Sequence, residues 1–301
     1  MQNLLNMLRG IAPERVLENE MMCRHTTFRV GGAAEAVFFP ASAEELCTAM
    51  EAAQAAGVEC RVLGNGSNLL VKDGGLKGLT IILGEHFSEI RVDGTRIFAQ
   101  AGATLARVSA AAQEHGLSGL EFANGIPGTL GGGCAMNAGA YGGQLSDVLV
   151  SADVLLDGEV KKLGLAELEM GYRTTMPLHR GGVVLGAEFE LKKDDGEAIR
   201  ARMRELNAKR REKQPLNLPS AGSTFKRPEG HFAGALIEQC GLKGCTIGGA
   251  QVSEKHAGFV VNIGNATAAD ILALMKHVQE TVLRETGVML EPEVRILGED
   301  A

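Results

Sequence analysis

The sequence lacks the signatures of several common nucleotide-binding and metal-binding classes. It has no GxxxxGK[ST] motif, which excludes a P-loop. The dinucleotide fingerprint GxGxxG is incomplete, because Gly64 and Gly66 are followed by Leu69 where the third glycine would stand. The six cysteines form no CxxC pair, which argues against a zinc or thioredoxin-like site. We therefore expect no metal, and the scattered cysteines favour reduced thiols in the cytosol.

Nothing in the sequence suits a membrane or a nucleic acid. No run approaches the ~20 apolar residues that a membrane-spanning helix needs, and residues 1–16 contain no hydrophobic signal core. The formal net charge of −7 argues against nucleic acid as a partner. It leaves anionic small ligands open, because their binding depends on local fields. We expect a cytoplasmic, monomeric protein without membrane insertion.

Glycine is abundant, and it is concentrated in two loops. The chain has 40 glycines, more than the usual share of about 7%. The first loop covers residues 63–69, and the second covers 124–133 and continues to 142. Glycine permits positive φ, so that successive N–H groups can converge on an anion. The pattern predicts a dinucleotide or a flavin that is held by loops.

Strand and helix patterns interleave irregularly, which favours an α+β fold of several small layers. A capping box over residues 42–45 predicts a helix that Gly57 ends. Asp93-Gly94 and Asp157-Gly158 predict hairpins. Further helices are predicted over 104–115, 197–213, 233–240 and 267–286, and further strands over 35–39, 60–63, 79–83, 182–191, 258–262 and 292–296.

Six segments in order along the chain match one flavoprotein family. They are Thr26-Thr-Phe-Arg-Val-Gly-Gly32, Leu63-Gly-Asn-Gly-Ser-Asn-Leu-Leu70, Gly125-Ile-Pro-Gly-Thr-Leu-Gly131, Gly171-Tyr-Arg173, Pro219-Ser-Ala-Gly-Ser-Thr-Phe-Lys226 and Glu291-Pro-Glu-Val-Arg295. On these segments the chain resembles the UDP-N-acetylenolpyruvoylglucosamine reductase family. The resemblance implies a two-part FAD-binding fold of the flavin oxidase type, over residues 1–82 with 293–301 and over 83–208. A small substrate-binding domain over residues 209–292 follows.

The resemblance also implies which residues bind non-covalent FAD. The first loop, with its small and polar side chains, should hold the diphosphate, and the second loop should line the other side of the cofactor. Arg29 has two possible interpretations: a contact on the flavin side, or an edge arginine on a strand. The full set of expected cofactor residues is Arg29, Gly64, Asn65, Gly66, Ser67, Asn68, Leu69, Gly102, Gly125, Ile126, Gly128, Thr129, Gly132, Asn137 and Ala138.

The resemblance implies that three residues carry the chemistry. Ser223 corresponds to the serine that protonates the substrate carbon, although the neighbouring Ser220 is an alternative on chemistry alone. The Arg173 guanidinium can meet charge that grows on the substrate carboxylate. Glu293 would help to polarise that carboxylate; the alternatives are a surface ion pair with Arg295 and, for Arg173, a solvated loop position.

The implied reaction is the reduction by NADPH, through FAD, of UDP-N-acetylglucosamine enolpyruvate to UDP-N-acetylmuramate for peptidoglycan. Seven basic residues lie between residues 200 and 213, most of them on an expected solvated helix face. We expect Lys213, then Arg210, to contact the UDP diphosphate, and Tyr172 to bind substrate. The length fits the shorter subtype of the family, which lacks a tyrosine-bearing loop that closes over substrate. Two alternatives stay open: a flavin oxidase acting on a hydroxy acid or sugar, and a non-enzymatic flavin-binding protein.

Overall fold

Nine α-helices and eighteen β-strands make up the computed structural model, which describes residues 1–301. The helices are α1 Gln2–Ile11, α2 Ala43–Ala55, α3 Leu105–Glu114, α4 Leu130–Ala135, α5 Leu165–Leu168, α6 Met176–Arg180, α7 Gly196–Lys213, α8 Ala233–Gln239 and α9 Ala268–Thr286. The strands are β1 Val16–Met21, β2 Ala33–Phe38, β3 Cys60–Leu63, β4 Leu69–Val71, β5 Leu76–Ile82, β6 Ile90–Asp93, β7 Arg96–Gln100, β8 Leu117–Ser118, β9 Gly139–Ala140, β10 Gly143–Gln144, β11 Leu149–Leu156, β12 Glu159–Gly164, β13 Val183–Glu190, β14 Lys192–Lys193, β15 Thr246–Ile247, β16 Ala250–Val252, β17 Val260–Asn262 and β18 Arg295–Leu297. The predicted α+β class is confirmed.

Six sheets contain these strands. The largest has five strands in the order β12-β11-β13-β7-β6, and its paired strands are antiparallel. A four-stranded sheet has the order β1-β2-β5-β3, and a three-stranded sheet has the order β15-β16-β17. The other three sheets are pairs: β10-β9, β14-β8 and β18-β4.

Local capping chemistry fixes the ends of the helices that the sequence predicts. The Ser42 hydroxyl accepts a hydrogen bond from the Glu45 N–H at 3.1 Å, which starts α2. At α9, Thr267 and Asp270 form a reciprocal capping box, and Gly287 ends the helix with φ +74°. These predicted helix boundaries are confirmed to within one or two residues.

The chain packs as two units, and the first consists of Met1–Val16, Val37–Asn65 and Leu79–Arg210. Its core is a cluster of buried side chains between Ile97 and Leu191, and helix α4 contacts strand β13 of the five-stranded sheet. The predicted β11–β12 hairpin is present, with its two turn residues Asp157 and Gly158 both at positive φ.

The second unit consists of Leu17–Ala36, Gly66–Gly78 and Arg211–Ala301. Its core combines Phe28, Val30 and Leu70 with buried side chains of α8, α9 and the three-stranded sheet. Strand β18 pairs in parallel with β4, which sets Arg295 opposite Leu69. The three-part division into FAD-binding and substrate domains stays a prediction.

Several details differ from the sequence-based expectation. Helix α1 and strand β1 were not predicted. The last strand is Arg295–Leu297 instead of 292–296, because Pro292 forms an isolated bridge with Phe225. In the β6–β7 hairpin Asp93 pairs with Arg96, so the turn residues are Gly94 and Thr95, one position later than predicted.

Candidate functional site

The first glycine loop, residues 64–68, contains a row of unused backbone donors. It links β3 to β4, and none of its five N–H groups donates a hydrogen bond within the chain. Gly66 has φ +58°, and a Cβ added to it would lie 2.1 Å from the His25 carbonyl oxygen. Only glycine therefore fits at this position. Adjacent unpaired N–H groups on a bare backbone suit an anion such as a diphosphate.

The second loop lies directly against Gly64 and Asn65 of the first. The Asn65 Nδ2 donates to the Pro127 carbonyl oxygen at 2.9 Å. A Cβ on Gly64 would lie 2.3 Å from Thr129 Oγ1, so the absence of a side chain permits this approach. The N–H groups of Gly128, Thr129 and Gly132 have no acceptor within the chain. These predicted FAD residues therefore fit a bound cofactor, and the contacts themselves stay predictions.

Gly102 and Asn137 have structural roles that the sequence did not reveal. A Cβ on Gly102 would lie 2.1 Å from the Gly84 carbonyl oxygen, so close backbone packing explains this glycine. Asn137 is buried at φ +42°, and its Nδ2 donates to the Gly171 carbonyl oxygen and to Ser146 Oγ, both at 3.2 Å. Its amide joins two loops of the first unit. The predicted contacts of Gly102, Asn137 and Ala138 with the cofactor stay predictions.

Arg173 lies in a tight turn with a strained backbone. The Gly171 N–H donates to the Thr174 carbonyl oxygen at 2.9 Å, and Arg173 between them has φ +58°. Its Cζ is 5.1 Å from the ring centroid of Tyr172, which is 57% exposed. A non-glycine residue in this region costs about 1–2 kcal/mol. Such strain is concentrated at functional sites, which makes Arg173 a functional candidate.

Ser223 and Glu293 lie on neighbouring segments of the second unit. The Glu293 N–H donates to the carbonyl oxygen of Thr224 at 2.8 Å, directly after Ser223. The Asn68 Nδ2 donates to the Glu293 carbonyl oxygen at 3.0 Å, which ties the first loop to this pair of segments. Ser223 is exposed, and the space beside Gly222 is open. The structure therefore brings Ser223, Glu293 and Asn68 together.

Ser220, the alternative to Ser223, is only half-buried and its backbone is engaged in packing. Its carbonyl oxygen accepts a hydrogen bond from Thr27 Oγ1 at 2.6 Å. The side chain of Ser67 makes no hydrogen bond within the chain and remains available to a ligand. Arg29 is exposed at φ +55°, between the buried residues Phe28 and Val30. Residues 28–30 lie outside every strand, so the predicted strand around Arg29 is wrong, and its contact with the flavin stays a prediction.

Most basic side chains of helix α7 are exposed, and Arg210 is the one that is buried. Lys209 pairs with Glu205, and Lys213 is exposed at the end of the helix. Arg210 is only 7% exposed, and its Cζ lies 5.5 Å from the ring centroid of Tyr141. Sequence reasoning missed Tyr141, although a bulky residue in the Tyr-Gly tip of a hairpin is an unusual signal. The substrate contacts predicted for Tyr172, Arg210 and Lys213 stay predictions.

Three further properties bear on the class of protein. No group of three His, Cys, Asp or Glu side chains is placed to hold a metal ion. None of the nine helices is both long enough and apolar enough to cross a bilayer. Burial raises the pKa of the Cys134 thiol to about 12 and that of Cys60 to about 11, so both stay protonated at neutral pH.

Comparisons with known proteins agree on one family. A family model of an FAD binding domain matches residues 34–164, and a model of the C-terminal domain of UDP-N-acetylenolpyruvoylglucosamine reductase matches residues 214–297. The chain is 48% identical over 301 residues to the UDP-N-acetylenolpyruvoylglucosamine reductase of Exiguobacterium sibiricum, covering 100% of this chain and 99% of the relative. It is 52% identical over 297 residues to that of Agathobacter rectalis, covering 94% of each.

Solved structures show the same relationship. The crystal structure of UDP-N-acetylenolpyruvylglucosamine reductase from Thermus caldophilus matches with a TM-score of 0.81 and 38% identity, over 93% of this chain and 97% of that one. An alkyldihydroxyacetonephosphate synthase, 16% identical with a TM-score of 0.51 over 64% of this chain and 40% of that one, shares the fold alone. The protein described here is therefore a member of the UDP-N-acetylenolpyruvoylglucosamine reductase family, an FAD-dependent oxidoreductase.

Proposed function

We propose that the chain reduces the enolpyruvyl group of UDP-N-acetylglucosamine enolpyruvate to UDP-N-acetylmuramate with electrons from NADPH, as a step in peptidoglycan precursor synthesis. The observation that carries the proposal is the exposed Ser223 hydroxyl, held one residue from the backbone hydrogen bond that joins Thr224 to Glu293. Bound FAD would accept a hydride from NADPH and pass it to the alkene carbon.

Ser223 would deliver the proton that completes the reduction. An alcohol is a weak acid, but the carbanion that hydride addition creates is a strong base. The hydroxyl is accessible, and Gly222 at φ +75° leaves open space beside it. The oxygen would be reprotonated from solvent or from a neighbouring group after each turnover. We propose Ser223 as the proton donor because it is exposed, whereas Ser220 is half-buried.

Arg173 and Glu293 would act on the carboxylate of the enolpyruvyl group. Negative charge spreads onto this carboxylate as the hydride arrives, and a planar guanidinium stabilises it with two parallel hydrogen bonds. Arg173 lies in the turn that Gly171 and Thr174 close, with its guanidinium over the Tyr172 ring. Glu293 would polarise the same carboxylate. Tyr172 and Lys213 would bind the sugar nucleotide, with Lys213 at the diphosphate, whereas Arg210 packs against Gly125 of the second glycine loop.

Residues 1–82 with 293–301, and residues 83–208, would form the two FAD-binding parts, and residues 209–292 the substrate domain. The first loop would hold the FAD diphosphate on the N–H groups of residues 64–68. The second loop would contribute Gly125, Ile126, Gly128 and Thr129 beside the cofactor. Arg29, Leu69, Gly102, Gly132, Asn137 and Ala138 complete the proposed contacts.

The test is the rate of NADPH oxidation by the purified holoprotein under anaerobic conditions, with and without UDP-N-acetylglucosamine enolpyruvate. We expect continuous turnover only with the enolpyruvyl substrate, and one product molecule for each NADPH. UDP-N-acetylglucosamine, which has no alkene, is the matched control. Failure of the enolpyruvyl substrate to sustain NADPH oxidation would refute the proposal, and hydrogen peroxide formation from an alcohol in air would favour the oxidase alternative.

A further inference from the structure

Arg210 carries a buried charge that no acidic side chain balances. Only 7% of its surface is exposed, and it takes part in no ion pair within the chain. Other bases of the same helix pair with carboxylates, as Arg202 does with Glu121 and Asp194. A buried cation is costly unless an anion or strong dipoles compensate it. The missing anion indicates that a ligand supplies the balancing charge.

The guanidinium packs against the backbone of the second glycine loop. A Cβ added to Gly125 would lie 2.0 Å from Arg210 Nη1, 2.9 Å from Cζ and 2.8 Å from Asn207 Oδ1. The absence of a side chain at Gly125 is therefore what admits the guanidinium. Gly125 belongs to the region that matches the FAD-binding domain. Arg210 thus contacts the flavin-binding loop itself.

Tyr141 covers the guanidinium from the tip of the β9–β10 hairpin. Tyr141 and Gly142 form the two-residue turn, with φ +54° and +87°. Asparagine, aspartate or glycine normally occupies the first of these positions, so the tyrosine there has a strained backbone. Burial lowers the pKa of Arg210, and the Tyr141 hydroxyl opposes that effect only in part. The charge is held in place without being neutralised.

We propose that Arg210 is a positioning residue of the flavin site, which fixes the Gly125–Gly128 loop and supplies positive charge to the reduced form of bound FAD. Two electrons and one proton added to the neutral isoalloxazine ring leave a net charge of about −1. A fixed cation beside the flavin-binding loop stabilises that anion and so favours the reduced state. The inference depends on FAD and not on the identity of the substrate, and it gives Arg210 a role other than contact with the diphosphate.

The test is the two-electron reduction potential of bound FAD in the Arg210→Met holoprotein, measured against a reference dye without substrate. We expect the oxidised-to-reduced ratio at a fixed potential to rise at least tenfold, which is a potential about 30 mV more negative. Arg211→Met is the matched control, since it removes the same charge from an exposed neighbour on the same helix; its potential should equal that of the wild type. Arg210→Lys keeps the charge, so the reduction potential of its bound FAD should lie close to that of the wild type.

Three results would overturn the inference. The potential of Arg210→Met could equal that of the wild type, or Arg211→Met could lower the potential by as much. Alternatively, Arg210→Met could weaken only the binding of the sugar nucleotide, which would make Arg210 a diphosphate contact. If Arg210→Met does not retain FAD, Arg210→Gln carries the same test, because it keeps hydrogen-bond donors and loses the charge. A wild-type potential in that variant contradicts the inference, and a lowered one supports it.

Discussion

Replacing Gly66 with alanine tests the FAD-binding role of the first loop most directly. The added Cβ would lie 2.1 Å from the His25 carbonyl oxygen and 2.9 Å from the Thr26 Cα, both of them backbone atoms. Carbon and carbonyl oxygen normally stay at least about 3.3 Å apart, so the loop must move by about 1 Å. The left-handed φ of +58° adds about 1–2 kcal/mol of strain for any residue other than glycine.

The displaced loop would no longer align its N–H groups with the diphosphate. Each hydrogen bond to a charged group that is lost costs about 1.5–3 kcal/mol. Because about 1.4 kcal/mol is a tenfold change in affinity, we expect the Kd for FAD of Gly66→Ala to rise about 10- to 100-fold. The Kd is measured by titrating apoprotein into FAD and following the flavin fluorescence.

Gly94→Ala is the control that separates backbone strain from the collision. Gly94 has φ +60°, almost the same as Gly66, but a Cβ there would have no atom within 4 Å. It lies in the turn between β6 and β7, far in sequence from both glycine loops. Because both positions have positive φ, the two substitutions should lower the free energy of unfolding by similar amounts. Only Gly66→Ala should also weaken the binding of FAD. Wild-type FAD affinity in a folded Gly66→Ala protein would refute the diphosphate assignment.

Three further predictions address catalysis, substrate binding and stability. Ser223→Ala should leave flavin reduction by NADPH within about twofold of wild type and lower product formation about 100-fold or more; normal turnover would exclude Ser223 as donor. Lys213→Ala should raise the Kd for the sugar nucleotide about tenfold, whereas Lys209→Ala, exposed and paired with Glu205, should not; equal affinity would place the diphosphate elsewhere. The Arg15 guanidinium lies 2.6 Å from the Glu45 carboxylate and lowers the pKa of that carboxyl. The pair therefore stabilises the fold by about 0.2–1 kcal/mol at pH values above 4.5, the usual pKa of the carboxyl. This contribution is lost as the pH falls through the lowered pKa of Glu45 in the folded protein. The melting temperature of Glu45→Gln should therefore fall less steeply with acid than that of wild type, and parallel curves would contradict the assignment.

Features set by chemistry within a few residues could be predicted from the sequence. The capping box at Thr267 and the hairpin turn at Asp157-Gly158 depend on side chains and φ preferences inside one turn. The glycine loops were recognisable for the same reason, since the amides that would bind an anion adjoin one another in the chain. The approach of Asn68 to Glu293 was not visible, because it joins segments that are 225 residues apart.

The fate of Arg210 shows the limit of reasoning from a charged run. Seven bases on one helix suggest a solvated face, and most of them are exposed. The basic residue that is buried is the one that packs against Gly125, which lies about 85 residues earlier in the chain. The hydrophobic periodicity of the helix carries no information about that contact. The turn of the β9–β10 hairpin, which covers the guanidinium, likewise depends on the positive φ of Tyr141. Long-range complementarity of this kind requires coordinates.

Strained backbone positions support the same assignment of the loops. Eight non-glycine residues have positive φ; Arg29 and Arg173 lie in segments that identify the family, and Asn137 and Tyr141 lie in the continuation of the second glycine loop. Glycine would adopt each conformation without strain. A side chain at such a position must therefore contribute something that glycine cannot. At Asn137 that contribution is visible, since its amide bonds the Gly171 carbonyl and so holds the turn that carries Arg173. The Asn137 amide thus holds the turn that contains Arg173, and the Tyr141 ring lies against the Arg210 guanidinium.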